Sequence, residues 1–487
     1  MSGKFSRRHF AKLAGFSALG LAASPARSED GEAARGHAPA SFPNGFIWGT
    51  ATSAYQIEGA VSEDGRGRSI WDTFAHTPGK IGDRSNADRA NDHYHRYKED
   101  VRLIKELGAK AYRFSIAWPR VFPHGTGAPN PKGLDFYDRL VDELLKVGIE
   151  PFATLYHWDL PQVLQDRLGG WRSSETSRAF ADYAGTVAER LSDRVKSFFT
   201  VNEVGRFVNF GYGWGIDAPG LKLPPGKLNQ VRHNVALAHG LAVQAIRAKG
   251  RAGTKVGPAE NIAACLPAIA TPGNIRAAEI ATRELNASFL GVILEGKYTD
   301  GFLEYAGKNA PKFTADELKI ISSPNDFVGL NIYAPQYYVV AIDRAPGFKV
   351  LPFPTSFPHM NVDWLRIGPE TAYWVPRLAA KVWNIETIYI SENGTSADDK
   401  IAADGNIYDL DRIMYLRNYL AQLQRAISEG VPVRGYFLWS LMDNFEWIYG
   451  FEKRFGLYRV DFDTQRRTPK LSAAFYRDVI ARNAIGA

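Results

Sequence analysis

The feature that most constrains this chain is an alternation. From Phe42 onward, short runs rich in β-branched and aromatic residues are separated by segments with helical spacing. GFIWGTATSAY (45–55) reads as a first strand. DHYHRYKEDVRLIKELG (92–108) carries apolar residues at helical spacing with a glycine stop, and AKAYRFSIAW (109–118) reads as the next strand. The pair recurs in GLDFYDRLVDELLKVG (133–148) with IEPFATLYHW (149–158), and in SETSRAFADYAGTVAERLSD (174–193) with VKSFFTVNEV (195–204). After a less regular middle come NDFVGLNIYA (325–334), TIYISENG (387–394) and VRGYFLWSLMDNFEW (433–447). A strand that re-enters a sheet after a helical crossover runs parallel to its predecessor, so the alternation implies βαβ units and a parallel sheet. Runs apolar on both faces must be covered on both faces, which suits a closed barrel. The expected fold class is α/β: a single (β/α)8 TIM barrel with long βα loops. No self-similarity at a 20–50 residue period points to a solenoid instead.

The chain has 487 residues, 45% of them hydrophobic, which is enough for a large core. No Ser/Gly-rich or Pro-rich linker cuts it after about residue 41, so residues 41–487 are expected to form one domain. The net charge of +7 comes from 59 basic and 52 acidic residues with no long basic block, which argues against a nucleic-acid partner. One cysteine, Cys265, allows neither an intramolecular disulfide nor a Cys-based metal site. HExxH, Walker and Rossmann glycine motifs are missing from the sequence, and no metal or cofactor is implied. Eleven Trp and 22 Tyr could simply fill the core, but amphipathic rings also suit a polar ligand with apolar faces, as sugars have.

Residues 1–40 have a different character. Ser6-Arg7-Arg8-His9-Phe10-Ala11-Lys12 precedes a mild apolar run, Leu13 to Ala23, and then small and polar residues through Ala40. A basic start, a short apolar stretch and small residues form an export signal, and the paired arginines resemble the Tat type. The apolar run is too short to span a membrane. Cleavage after Ala26 or Ala40 would be compatible with the sequence, and the destination would be periplasmic or secreted. The glycosylation triplets Asn286-Ala287-Ser288 and Asn393-Gly394-Thr395 are read as coincidence.

Two of the apolar runs end in acid. FFTVNEV (198–204) closes on Asn202 and Glu203, and TIYISENG closes on Glu392 before the turn signal Asn393-Gly394. A carboxyl beside apolar residues loses hydration, so it finds a partner, keeps a proton, or sits where the strand leaves the core. In a (β/α)8 barrel the C-terminal strand ends converge on one site. That rule gathers Gln56, Glu58, Arg113, His157, Trp158, Asn202, Glu203, Asn331, Tyr333, Glu392 and Trp439 around a common mouth.

TVNEV and ISENG, with HWDLP (157–161), YRFSIAWPR (112–120), KGLDFYDRLVDELL (132–145) and DNFEW (443–447), resemble glycoside hydrolase family 1, the β-glucosidase family. The resemblance extends from Phe42 to Tyr476 and is weaker between about 205 and 320. It implies a retaining β-glycosidase acting on terminal, non-reducing β-D-glucosyl residues, with a β-glucoside or oligosaccharide as substrate. Retention requires one carboxylic acid to protonate the leaving oxygen and one carboxylate to attack the anomeric carbon. By resemblance Glu203 is the acid/base at the end of strand four and Glu392 the nucleophile at the end of strand seven. Arg113 and Tyr333 would hold and aim Glu392. Gln56, His157, Trp158, Asn202, Asn331, Tyr333, Trp439, Glu446, Trp447 and Phe455 would bind the sugar. An acidic Glu446 disfavours a 6-phosphorylated sugar. A transglycosylase with the same residues, or a glycan-binding pseudoenzyme, are the alternatives.

The match breaks directly after Glu203, where the family usually has proline and an aromatic residue and this chain has Val204 and Gly205. Loss of the ring should widen the leaving-group side. PAENIAACLPAIATPGN (258–274) also departs from the pattern, and 347–358 is expected to form part of the rim.

Overall fold

A computed structural model describes residues 41–486. The export signal expected at 1–40 lies outside the described residues. Eight parallel strands close into a barrel: β1 Ile47–Ala51, β2 Ala111–Ser115, β3 Glu150–Tyr156, β4 Ser197–Asn202, β5 Lys255–Glu260, β6 Val328–Asn331, β7 Ile388–Asn393 and β8 Val433–Trp439. Each strand pairs with its sequence neighbour in this series, and β8 returns to β1 with Ala51 opposite Trp439. The expected TIM barrel is therefore observed.

The strands are almost wholly buried, as their apolar character on both faces requires. Aromatic side chains fill the lumen. Phe152 on β3 meets Phe437 on β8 at 4.9 Å and Tyr389 on β7 at 5.6 Å, contacts between non-adjacent strands that can form only across the interior. Burying each such ring is worth roughly 1.5–3 kcal/mol. Outside, the helix Pro131–Lys146 buries Phe136, Leu140, Val141 and Leu144 at helical spacing and starts with proline, whose missing N–H costs nothing at a helix start. The helix Ser174–Leu191 starts where Ser173 accepts the N–H of Glu175, and its inner face packs on the 25-residue helix Pro225–Lys249.

Two sequence expectations need correction, and a small sheet was not foreseen. The first run is a strand only to Ala51, after which Ala54–Ile57 turns as a short helix, so Gln56 and Glu58 do not lie at a strand end. The middle is regular: it holds Pro225–Lys249 and β5, whose Gly257 and Pro258 read as a turn in sequence. A small sheet of Cys265–Pro267, Tyr337–Ala341 and Phe348–Leu351 stands beside the barrel, so part of 347–358 is strand.

Register breaks concentrate where the strands end. β7 shifts against β6 between Ile390 and Glu392, and against β8 between Ile390 and Asn393; β4 shifts against β5 between Phe199 and Asn202. Such bulges re-aim side chains. Past the end of β7, Gly394 lies so close to β8 that a Cβ there would fall 1.8 Å from the carbonyl oxygen of Trp439.

Candidate active site

At the C-terminal ends of these strands a chamber is lined by His157, Trp158, Glu203, Tyr333, Glu392, Trp439, Glu446, Trp447 and Phe455. Nine expected site residues thus share one wall. Behind them, Gln56, Arg113, Asn202 and Asn331 are buried and hydrogen-bonded to that wall.

Glu392 is gripped from two sides. Arg113 Nη1 donates to Oε1 at 2.6 Å, and the Tyr333 hydroxyl donates to Oε2 at 2.7 Å. The guanidinium is held in turn. It donates to the Ser391 carbonyl (3.1 Å), Asn202 Oδ1 (2.7 Å) and Thr154 Oγ1 (3.1 Å), and it lies over the Phe199 ring at 4.9 Å. A bond from two different directions fixes the carboxylate plane, and charge-assisted bonds of this kind are the strong ones.

Glu203 has different company. It occupies the left-handed backbone region, φ 54°, rare for a residue with a side chain and a marker of functional strain. Oε1 accepts one bond, from Asn331 Nδ2 at 2.9 Å. Burial, and next the charge of Glu392, hold its carboxyl well above the usual carboxylate range; Asn331 and the more distant Arg206 only partly oppose this. One carboxylate paired with a cation and one carboxyl disposed to keep its proton stand in the same chamber.

Asn202 and Asn331 tie the two together. Asn331 Nδ2 also donates to Asn202 Oδ1 (3.1 Å), and Ser391 Oγ donates to Asn331 Oδ1 (2.7 Å). Because Asn202 Oδ1 is occupied by two donors, its Nδ2 must donate to His157 Nε2 at 3.2 Å, which leaves the proton of the neutral imidazole on Nδ1. Burial, with Arg113 nearby, keeps His157 neutral, and its Nδ1 is buried without a partner among the described residues. It is free to donate to a ligand hydroxyl.

Rings supply the rest of the wall. Trp158 and Trp447 lie 4.4 Å apart, both at positive φ, and the His157 ring stacks with Trp439 at 5.7 Å and Trp447 at 5.9 Å. Gln56 donates to the Phe445 carbonyl and Asn444 Oδ1 at 2.9 Å and to Glu446 Oε2 at 3.4 Å, so it anchors the segment carrying Glu446. Burial pushes the Glu446 carboxyl up to about 8.

Glu58 is not part of the chamber. It pairs with Arg120 at 2.9 Å and accepts the Tyr137 hydroxyl at 2.6 Å, a buried structural pair. Arg206, Asn261, Trp364 and Tyr449 line the chamber without having been expected. Arg206 follows the end of β4 by four residues, a signal the barrel rule could have used, whereas Asn261 follows β5, a strand the sequence did not reveal. Trp364 comes from a long connection that no spacing rule places.

The chamber adjoins a cavity of about 1180 Å³, bordered by Val204, Gly205, Phe210, Trp214, Phe348 and Trp364. Beside Gly205 a Cβ would meet only one oxygen of Glu260, at 3.1 Å. No ring stands at 205 to fill this space, and Phe348 lies on the rim of the cavity.

The chain is similar to known proteins over nearly all of the described residues. The Glycosyl hydrolase family 1 profile matches residues 38–485. Beta-glucosidase A of Acetivibrio thermocellus is 45% identical over 446 residues, covering 91% of this chain and 99% of that protein. Beta-glucosidase A of Thermotoga maritima is 43% identical over 445 residues, covering 91% and 98%. The structure of the beta-glucosidase from Thermotoga maritima in complex with glucoimidazole superposes with a TM-score of 0.83 at 41% identity, over 91% of this chain and 99% of that one. This chain belongs to glycosyl hydrolase family 1.

Proposed function

We propose that the protein is a retaining β-glucosidase in which Glu392 is the nucleophile and Glu203 the acid/base. The observation that carries this reading is the contrast between the two carboxyls in one chamber: Glu392 bound to Arg113 and Tyr333, Glu203 buried and disposed to keep its proton.

In the first step a Glu392 oxygen attacks the anomeric carbon while the bond to the leaving oxygen breaks, and that oxygen takes the Glu203 proton. Arg113 and Tyr333 hold the carboxylate in line. Once Glu392 is esterified its charge is gone, which removes the second largest cause of the raised Glu203 pKa. Glu203 then ionises more readily and takes a proton from water, whose oxygen attacks the same carbon and releases Glu392. Two inversions give net retention.

His157 Nδ1, Glu446 and Gln56 suit the hydroxyls of a glucosyl unit, and the rings of Trp439 and Trp447 suit its C–H face. A carboxyl at 446 is unfavourable for a phosphorylated sugar. The test is a panel of aryl β-glycosides followed by NMR, with and without an alcohol acceptor. β-Glucosides should be cleaved fastest with β-glucose as first product; α-glucose as first product would refute double displacement. Transfer is a second reading, favoured by the wide cavity beside Gly205, which leaves room for an acceptor alcohol, and it would appear as alkyl β-glucoside in the acceptor arm.

Export to the periplasm or medium is part of the proposal and rests on Arg7-Arg8 and the apolar run after them. Replacing both arginines with lysine should trap activity in the cytoplasm. Unchanged fractionation would remove this part.

A further inference from the structure

Strand β5 ends on a carboxylate that the two steps above do not use. Glu260 is buried; its Oε2 accepts the backbone N–H of Val204 at 2.8 Å and its Oε1 that of Gly205 at 2.9 Å. One residue earlier, the Ala259 carbonyl accepts the N–H of Glu203 at 2.9 Å. The last two residues of β5 therefore hold three consecutive amides, those of Glu203 and of the two residues that follow it.

The sequence explains why a carboxylate is needed there. Proline at 204, usual in the family, would offer no N–H, whereas Val204 does, in the first turn of a helix where no earlier carbonyl can accept it. Gly205 adds a second such donor and no side chain to shield it. Two amides pointing the same way suit the two oxygens of one carboxyl group; burial pushes that of Glu260 up to about 8, and the two amides only partly oppose this. Glu203 reverses the chain in the left-handed region, so the direction of its side chain depends on how firmly the next two peptides are held.

We propose that Glu260 is a positioning residue for the acid/base: by clamping the amides of Val204 and Gly205 it aims the Glu203 carboxyl at the leaving oxygen. The proposal rests on the acid role assigned to Glu203. No direct contact of Glu260 with the sugar is required.

The test is Glu260→Gln, which keeps the shape but removes one of the two bonds, because the side-chain NH2 that replaces one oxygen donates and cannot accept a backbone N–H. For phenyl β-glucoside, whose leaving group needs a proton, kcat/KM should fall by roughly 10- to 100-fold. For 2,4-dinitrophenyl β-glucoside, which leaves unaided, it should stay within about threefold. In the double variant with Glu203→Gln, the Glu260 change should cost nothing further on phenyl β-glucoside, because both act through one proton transfer. Val204→Pro deletes one donor and leaves Glu260 intact; it should show the same selectivity more weakly, and it serves if Glu260→Gln fails to fold. Equal losses on both substrates, or additive losses in the double variant, would overturn the proposal. Should Glu203→Gln alone lack selectivity, the acid assignment falls; should it be selective while Glu260→Gln is not, only the role of Glu260 falls.

Discussion

Two buried charge clusters meet in the loop after β8, and they are built on opposite plans. Asp443, near its start, belongs to a balanced cluster: Asp399, Asp409 and Asp443 with Arg412, Arg454 and Lys470. Arg412 binds Asp399 at 2.8 and 2.9 Å and also Asp409; Lys470 bridges Asp399 (2.5 Å) and Asp443 (2.6 Å); Arg454 binds Asp443 at 2.8 Å. Glu446, three residues on, belongs to the chamber with Glu203 and Glu392, where, among the described residues, Arg113 is the one cation in direct contact with any of the three. Arg206 lines the same wall but is paired with Asp217 at 3.1 Å. Acid is in excess in one cluster and matched in the other.

The difference shows in the protonation behaviour. Burial tends to raise the pKa of Asp399, yet Lys470 and Arg412 overcome it and hold the carboxyl below its usual value. Burial raises Glu203 and Glu446 with too little to oppose it. Perturbed groups alone therefore do not identify a site, since ion-pair networks perturb too. The sign of the shift differs between these two clusters, although it does not by itself mark a site: burial also raises Asp159, outside the chamber, and Asp217, paired with Arg206. Matched charges hold loop geometry, whereas unmatched carboxyls retain a proton that can be delivered.

The largest break in this comparison is Glu392→Ala. It removes the one carboxylate of the chamber that touches a cation, and kcat should fall on the order of 10⁵-fold. Azide should restore cleavage of activated β-glucosides and give the α-glucosyl azide; near wild-type turnover without azide would exclude Glu392 as nucleophile. Next comes Glu203→Gln, which removes the deliverable proton. Its kcat/KM should drop roughly 10²- to 10⁴-fold on poor leaving groups and little on good ones. A uniform loss would contradict the acid role.

Asp399→Asn breaks the balanced cluster. It leaves Arg412 and Lys470 short of charge and should cost about 3–5 kcal/mol of stability at pH 7, read as a lower Tm, while kcat of the folded enzyme stays near wild type. Because the folded pKa of Asp399 is depressed, its stabilisation is present above the unfolded value of about 3.9 and is lost as pH falls through the lower folded value. The Tm gap between variant and wild type should therefore close in acid.

The smallest effect runs the other way. Glu446 has a raised folded pKa, about 8, so its contribution to stability is full below the unfolded value of about 4.3 and is lost as pH rises through the folded one. Glu446→Gln should thus match wild type near pH 4 and exceed it by roughly 1–2 kcal/mol at pH 8, at the expense of glucoside binding. A constant Tm difference across that range would show that burial does not hold Glu446 protonated.

Much of the fold was legible in the sequence because burial writes itself as periodicity. Seven of the eight barrel strands coincide with apolar runs, and Glu203 and Glu392 were visible as acids closing such runs. β5 escaped because Gly257 and Pro258 carry turn chemistry, and only pairing on both sides makes a strand of them. Gln56 and Glu58 were grouped as one strand end, but a helical turn separates their fates: one anchors Glu446, the other a buried arginine. Arg206, Asn261 and Glu260 gave no periodic signal at all, since their roles depend on which strand ends become neighbours.

By itself the sequence determined the alternation, hence the parallel barrel, and the residue types at its strand ends, because both follow from local backbone preference and the removal of apolar surface from water. Tertiary structure alone decided which carboxyl keeps its proton. That property depends on a cation within hydrogen-bonding distance of Glu392 and, among the described residues, none against Glu203, and such proximities join residues up to 279 positions apart in the chain.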